Sequence, residues 1–105
     1  MPDPLFRAAL QTTDEGVRLE LIGELDISTT PELVRHFDNI IASPGGDVRA
    51  DCSQLTFADS SGLDALIRLG KGLREQDRAL LLTDVVPTVR RAIEVLHITD
   101  LLRLA

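Results

Sequence analysis

The chain has 105 residues, a length that allows one compact domain, residues 1–105, around a single hydrophobic core. Its formal net charge of -6 argues against a nucleic-acid partner and against docking on an anionic membrane surface, since both need a basic face. The single cysteine, Cys52, permits no internal disulfide, and no signal peptide or membrane-spanning apolar run is evident, so we expect a cytoplasmic protein.

The first 25 residues alternate between apolar and polar side chains, as strands do. Phe6, Ala8 and Leu10 predict a first strand, and a turn-rich stretch follows at residues 12–16. Apolar residues and a glycine then alternate with polar residues in a second strand: Val17, Leu19, Leu21, Gly23 and Leu25. The two strands are predicted to form an antiparallel hairpin.

The spacing of apolar residues next changes to that of a helix. Thr29 is a candidate N-cap, Pro31 is tolerated in a first turn, and Glu32 is a possible capping-box residue. One helix is therefore predicted to run until just before Pro44. Its inward-facing side chains are expected to be Leu33, Val34, Phe37, Ile40 and Ile41.

Residues 47–52 return to alternation and predict a third strand, in which Cys52 is a buried structural thiol. The segment Asp59-Ser60-Ser61-Gly62-Leu63 follows, where a loop becomes a second helix over residues 61–76. One of the two serines is the expected N-cap of this helix. Gly70 and Gly72 weaken the helix by about 1 kcal/mol each relative to alanine, which indicates close packing at these positions.

The last third of the chain predicts one more strand and one more helix. The apolar run at residues 79–82 is typical of a strand covered on both faces. Pro87 can open a third helix with Val89, Ile93 and Leu96 facing inward, and a short element closes the chain at residues 101–104. The fold class is thus α/β: a mixed sheet with an N-terminal antiparallel hairpin, then parallel βαβ units packed with helices.

Two junctions between strand and helix are the candidate functional positions, and we expect the Asp26 and Ser60 loops to lie side by side. A helix N-terminus tolerates negative charge, so Ser60 could bear a phosphate, but from these five residues alone a simple cap is the favoured interpretation, because serine caps are far commoner. Asp26 either caps the following turn or contacts a partner, and Thr29 as the better helix cap leaves it freer for the latter. Asp59 either orients the Ser60 hydroxyl or is solvated.

Catalysis is not expected. Ser60 lies in no G-x-S-x-G elbow, and neither His36, which is predicted to face water, nor His97 is placed near it as a base. An aspartyl-phosphate receiver domain is also excluded, because the chain lacks an acidic pair after its first strand and a lysine after its last. The two separated histidines and one cysteine lack metal-ligand spacing, so neither a metal nor another cofactor is expected.

Three segments together resemble the STAS family, the sulphate transporter and anti-sigma factor antagonist domains. They are residues 23–33 (GELDISTTPEL), residues 51–55 (DCSQL) through 59–63 (DSSGL), and residues 87–91 (PTVRR) with Leu96 and residues 101–102. The resemblance covers nearly the whole chain, in order and with compatible spacing. Within the family, the chain is most similar to the stand-alone bacterial anti-sigma factor antagonists.

The resemblance implies a partner-switching role. The unmodified antagonist would bind an anti-sigma factor that is also a serine kinase, and so release a sigma factor. The kinase would use ATP to phosphorylate the antagonist, and a serine phosphatase would reset it. By position the modified residue is Ser60. The implied partner-binding residues are Asp26, Thr29, Asp59, Ser60, Ser61, Gly62 and Asp64.

Two points remain open under this resemblance. Asp64 stands where many close relatives have a small residue, and we expect it in the first turn of the Ser60 helix, adding negative charge near a phosphate. The alternative function within the same family is a constitutive interaction module of a transporter or sensory complex, never phosphorylated.

Overall fold

A computed structural model describes residues 5–14 and 16–105. The strands are β1 (Phe6–Thr13), β2 (Gly16–Leu25), β3 (Val48–Ala58), β4 (Leu80–Thr83) and β5 (Arg103–Leu104). The helices are α1 (Thr30–Val34), α2 (Phe37–Ala42), α3 (Ser60–Arg74) and α4 (Pro87–Val95). Residues 1–4 and Glu15, part of the predicted turn, lie outside the described residues.

The sheet confirms the predicted mixed α/β architecture. Its strand order is β1-β2-β3-β4-β5, with β1 antiparallel to β2 and every later neighbour parallel. Because the parallel strands follow one another in a single direction, right-handed crossovers place their connecting helices on one face. Burial agrees, since Leu19 and Ala50 are buried whereas their neighbours Arg18 and Arg49 are exposed.

The segment predicted as one first helix is two short helices. The His36 amide bonds to the Leu33 carbonyl at 3.0 Å, a tight three-residue turn that ends α1. Helix α2 then begins, and the Ile40 amide donates a hydrogen bond to the His36 carbonyl at 2.9 Å. Leu33 and Ile40 both reach the core, but Val34, predicted to face inward, is 38% exposed. Val34 directly follows the buried Leu33 in α1, so the helical rotation of one residue turns its side chain away from the buried face.

The other elements agree with their predicted positions, with corrections at the ends. The prediction that β4 is covered on both faces is wrong, since Leu80 and Leu82 are buried whereas Leu81 and Thr83 are only partly buried. Helix α3 begins at Ser60 and ends at Arg74, and its buried face includes Leu66 and Leu73. Helix α4 opens at Pro87 as predicted and buries Val89 and Ile93. Leu96, also predicted to face inward, is 44% exposed because α4 ends before it and Leu96 is the C-cap.

Strand β3 is longer than its alternation predicts because it contains two irregularities. Glu20 pairs with Asp51 and Ile22 with Gln54, so β3 has one extra residue between these pairs, and a second extra residue follows near Phe57. Such bulges shift which side chains face the core. They turn Leu55 and Ala58 inward after the regular pattern has stopped.

Cys52 is a buried thiol, as predicted. Its side chain lies in the core, and burial, followed by the negative charges of Asp51 and Asp84, raises its pKa to about 12. The close-packing prediction is confirmed for Gly72, where a Cβ would lie 2.9 Å from Cδ1 of Ile41. It is wrong for Gly70, whose added Cβ would meet nothing nearer than 3.9 Å.

Candidate functional site

The end of β2 and the start of α3 are held against each other by backbone contacts. The Asp59 amide donates to the Leu25 carbonyl oxygen at 3.1 Å. One turn into α3, a Cβ added to Gly62 would lie only 2.5 Å from that same oxygen. Glycine therefore permits the helix to approach the strand end, and the two predicted loops do lie side by side.

Asp26 caps the turn that follows β2. Its Oδ1 accepts hydrogen bonds from the Ser28 amide at 2.9 Å, the Ser28 hydroxyl at 2.7 Å and the Thr29 amide at 3.1 Å. The Ser28 hydroxyl first, and then the Thr29 and Ser28 amides, hold the pKa of Asp26 below its ordinary value against an opposing effect of desolvation. Within the described chain its Oδ2 receives no hydrogen bond, so one carboxylate oxygen is still available.

Thr29 is the N-cap of α1 by position, but its side chain does not cap the helix. The Thr29 hydroxyl is buried, accepts from the Asp26 amide at 2.9 Å and donates to the Glu24 carbonyl at 2.8 Å. The predicted capping box is also wrong, since the Glu32 carboxylate contacts Arg35 at 3.0 Å and His36 at 3.6 Å. The expectation that Thr29 would free Asp26 from capping is therefore wrong: both residues fix the same loop.

The N-cap of α3 is Asp59, and neither serine takes that role. Asp59 has an extended backbone, and its Oδ1 accepts from the Gly62 amide at 3.0 Å. Asp59 therefore caps the helix, and it does not orient the Ser60 hydroxyl. Ser60 is the first helical residue and is exposed, and its hydroxyl bonds to nothing in the described ranges, whereas Ser61 is half-buried.

Asp64 is the fifth residue of α3, beyond the first turn, so its predicted position was wrong. It lies four residues after Ser60 and forms an exposed ion pair with Arg68, four residues further on, at 3.2 Å. Residues four apart lie on one helix face, so Ser60, Asp64 and Arg68 form a row along α3. A group added to Ser60 would have Asp64 as its neighbour.

An apolar groove borders this row, and sequence reasoning missed it. Ile27 is 77% exposed at the tip of the Asp26 loop, and the partly exposed Val34 stands on α1 nearby. The groove is lined by Ile27, Thr30, Pro31, Val34, Ser61, Asp64 and Arg68. The available signal was Ile27 itself, an apolar residue between two polar ones in a loop. The site thus combines a free hydroxyl, fixed carboxylates and exposed apolar surface.

The remaining predicted ligands lie elsewhere. His36 stands at the junction of α1 and α2, partly exposed beside Glu32, and His97 is exposed after α4. Across residues 5–14 and 16–105, no group of three or more histidine, cysteine, aspartate or glutamate residues is arranged to hold a metal ion. In the same ranges, no helix is both long and apolar enough to cross a membrane.

The fold and motifs agree with a known family. A family model described as "Mlab, STAS domain" matches residues 8–103, so the chain belongs to the STAS domain family. Among its relatives is the anti-sigma-B factor antagonist of Staphylococcus aureus (strain NCTC 8325 / PS 47). The two are 26% identical over 91 residues, which cover 87% of this chain and 84% of the relative.

Solved structures of anti-sigma factor antagonists share the fold. One from Mycobacterium paratuberculosis has a TM-score of 0.83 at 21% identity, covering 99% of this chain and 89% of its own. Unphosphorylated SpoIIAA has a TM-score of 0.74 at 23% identity, covering 95% and 87% of the two chains. The phosphorylated Bacillus SpoIIAA has a TM-score of 0.67 at 22% identity, covering 95% and 90%.

Proposed function

We propose that this chain is an anti-sigma factor antagonist whose partner binding is switched off by phosphorylation of Ser60. In the unphosphorylated state it would bind an anti-sigma factor that is also a serine kinase, and thereby release a sigma factor. The observation that supports this most is the exposed Ser60 hydroxyl, unbonded within the described chain, beside the apolar groove. The names of the relatives point to the same class of regulator.

The proposed modification needs no catalytic group from this chain. The partner kinase would transfer the terminal phosphoryl group of ATP to Oγ of Ser60, with loss of the hydroxyl proton and release of ADP. A serine phosphatase would later hydrolyse the phosphoserine and restore the hydroxyl. The chain acts as the substrate of both enzymes and is not itself an enzyme. Its proposed location is the cytoplasm, where the kinase finds ATP.

The local charges explain why such a phosphate would disrupt an interface and leave the fold intact. Phosphoserine brings about -1.5 to -2 charge at neutral pH. The N-terminus of α3 tolerates that charge, but Asp59 and Asp64 add to it. Arg68 is paired with Asp64, and eight residues of helix separate it from Ser60 by about 12 Å. The phosphate would therefore remain unneutralised at the partner surface.

The partner-binding residues divide into two roles under this proposal. Asp26, through Oδ2, and the exposed parts of Asp59, Ser60, Ser61 and Asp64 would touch the partner. Buried Thr29 and Gly62 would act indirectly by holding the two loops together. Repulsion and desolvation worth about 3 kcal/mol would weaken the complex at least ~100-fold, since each 1.4 kcal/mol is tenfold.

The test uses the chain and its partner isolated together from source cells. On addition of ATP, we expect wild type to gain one phosphate and release the partner. Ser61→Ala, which lacks one proposed contact but keeps the Ser60 hydroxyl, should gain the same phosphate. Ser60→Ala should gain none and remain bound, and Ser60→Asp should bind at least ~100-fold more weakly with an unchanged Tm. Tandem mass spectrometry locates the phosphate, and calorimetry gives the affinities.

Three results would contradict the proposal: a phosphate on Ser61, a phosphorylated Ser60 in an intact complex, or equal affinity of Ser60→Asp and Ser60→Ala. Recovery of a membrane transporter ATPase with unmodified Ser60 would instead support the constitutive interaction module.

A further inference from the structure

Strand β1 is one edge of the sheet, and its outer side faces no other strand among residues 5–14 and 16–105. The strand order places β1 next to β2, at the end of the sheet opposite β5. The edge strand β5 has two residues, whereas β1 has eight. Short edge strands avoid pairing with other chains, and long ones invite it. The outer edge of β1 is therefore the place where another strand could join this sheet.

The register determines which backbone groups of β1 point to this open edge. The Glu24 amide donates to the Leu5 carbonyl at 2.6 Å, just before the pair formed by Phe6 and Gly23. Hydrogen-bonded and non-hydrogen-bonded pairs alternate in an antiparallel ladder, so the odd-numbered residues of β1 bond to β2. The even-numbered residues direct their amides and carbonyls outward: Phe6, Ala8, Leu10 and Thr12. Within residues 5–14 and 16–105, no loop or helix forms a backbone hydrogen bond with these four residues.

The sequence of β1 lacks most features that protect an edge strand from pairing. It contains neither proline nor lysine, and its pairing with β2 is continuous from Phe6 to Thr13, without a bulge. Its one charged residue is Arg7, which alternates with the buried Phe6 and Ala8 and so lies on the open face of the sheet. Because β1 contains no acidic residue, repulsion between two chains of net charge -6 acts here only at longer range, where salt screens it.

We propose that two copies of this chain pair through their β1 edges, antiparallel, with Ala9 opposite Ala9 of the second copy. In this register Phe6 faces Thr12 of the second copy and Ala8 faces Leu10, so every outward residue has a partner. Each of these four pairs exchanges two hydrogen bonds, about eight in all. A register centred on Ala8 or on Leu10 would leave Thr12 or Phe6, respectively, without a partner inside the strand.

The side chains of β1 fit the same register. Arg7 lies opposite Gln11 of the second copy, whereas a register centred on Arg7 would place two arginines opposite each other, which is unfavourable. On the helix side, Leu10 packs against the core but remains partly exposed. Ala8 of the second copy would lie directly beside Leu10 and cover it. This match of β1 to itself in length, charge and apolar surface selects a second copy over a strand of another protein.

Disulfide trapping in the full chain tests the register. Ala9→Cys places two thiols opposite each other in a non-hydrogen-bonded pair, with Cα atoms about 4.5 Å apart, a distance that a disulfide can span. Gln11→Cys is the matched control, because its two cysteines would be offset by four residues, about 13 Å. Mild oxidation should convert Ala9→Cys to a covalent dimer at least about tenfold faster than Gln11→Cys. The native Cys52 is buried and should not react.

Wild type provides a second measurement that needs no substitution. Sedimentation velocity over about 10–1,000 µM should show the mass rising from one chain to two, since an interface of this size is transient. Over the same range, NMR hydrogen exchange should slow at the four outward amides and stay constant at the odd-numbered residues. Thr12→Pro removes an amide hydrogen that β2 does not use and should weaken the dimer at least about tenfold. Thr12→Val keeps that amide and should dimerise as wild type does.

The proposal is overturned if wild type remains a single chain over the whole concentration range. It is also overturned if Gln11→Cys is trapped as fast as Ala9→Cys, or if Thr12→Pro, with its fold intact, dimerises as well as Thr12→Val. A dimer in which the outward amides of β1 exchange no more slowly than in the single chain would contradict it equally. None of these results bears on the proposed phosphorylation of Ser60, because the β1 edge contains none of the residues of that site.

Discussion

The Asp26 loop and the start of α3 meet at the same end of the sheet, yet the Thr29 hydroxyl of the first is buried and the Ser60 hydroxyl of the second is exposed. In the Asp26 loop, the Thr29 hydroxyl is buried between the Asp26 amide and the Glu24 carbonyl. At the start of α3, Asp59 provides the cap and the Ser60 hydroxyl stays exposed. The proposed modification of Ser60 depends on this contrast, because Asp59, and not the Ser60 hydroxyl, caps the start of α3.

The largest expected effect concerns the contact that joins the loops. Gly62→Ala would place a Cβ 2.5 Å from the Leu25 carbonyl oxygen and 2.7 Å from the Leu25 Cγ. Backbone cannot easily yield, so α3 must shift away from β2, and we expect a loss of about 3 kcal/mol in the free energy of unfolding. Urea denaturation followed by circular dichroism measures it.

The matched control lies in the same helix. Gly70→Ala meets nothing closer than 3.9 Å and should stabilise the chain by about 0.5–1 kcal/mol, because alanine favours the helix. Equal effects of the two substitutions would show that the loops are not joined at Gly62.

A smaller effect on stability distinguishes the Thr29 hydroxyl from the Ser60 hydroxyl. Thr29→Val keeps the shape of the side chain but leaves the part-buried Asp26 amide without its acceptor, which costs about 1–3 kcal/mol. Ser60→Ala removes an exposed hydroxyl and should change stability by less than about 0.5 kcal/mol. Thermal unfolding compares them, and Thr29→Ser should recover most of the loss. Similar costs at both positions would remove the contrast between the loops.

The spacing of apolar residues predicted most of the strands and helices, because this spacing reflects which side chains are buried in each element. Alternation located β1, β2 and the start of β3, and helical spacing located α3 and α4. The break between α1 and α2 could not be predicted, since Leu33 and Ile40 are seven residues apart, as in one continuous helix. The break depends on how the chain turns over the sheet, which is a tertiary property.

The meeting of the Asp26 and Ser60 loops was predicted correctly, whereas several contacts within them were not. Aspartate and serine are about equally good N-caps, so sequence alone could not choose Asp59 over the serines. Nothing in the sequence indicated that Arg78 would be buried, yet its guanidinium donates to the carbonyls of Gly46 at 2.8 Å and Ile41 at 3.1 Å. The Arg78 contacts reach backbone groups 32 and 37 residues away in the sequence, which meet only in the folded chain.

The smallest expected effect depends on pH and concerns Asp26. Its hydrogen bonds from Ser28 and Thr29 favour the ionised carboxylate, so its pKa in the folded chain is below the ordinary value of 3.8. A depressed pKa contributes stability that is fully present above pH 3.8 and is lost as the pH falls through the folded-state pKa. We therefore expect wild type to be more stable than Asp26→Asn at pH 7, with a difference that shrinks on acidification below that value.

Urea midpoints from pH 7 down to 2 measure this difference, and carbon-13 NMR of the Asp26 carboxyl locates its titration. Asp51, whose pKa is also lowered, first by the Ser53 amide, is present in both proteins and cancels from the comparison. Asp100→Asn, at an exposed position after α4, is the matched control. A difference between wild type and Asp26→Asn that persists unchanged at pH 2 would mean that asparagine fails for geometric reasons. The charge of Asp26 would then play no part in fixing the loop beside Ser60.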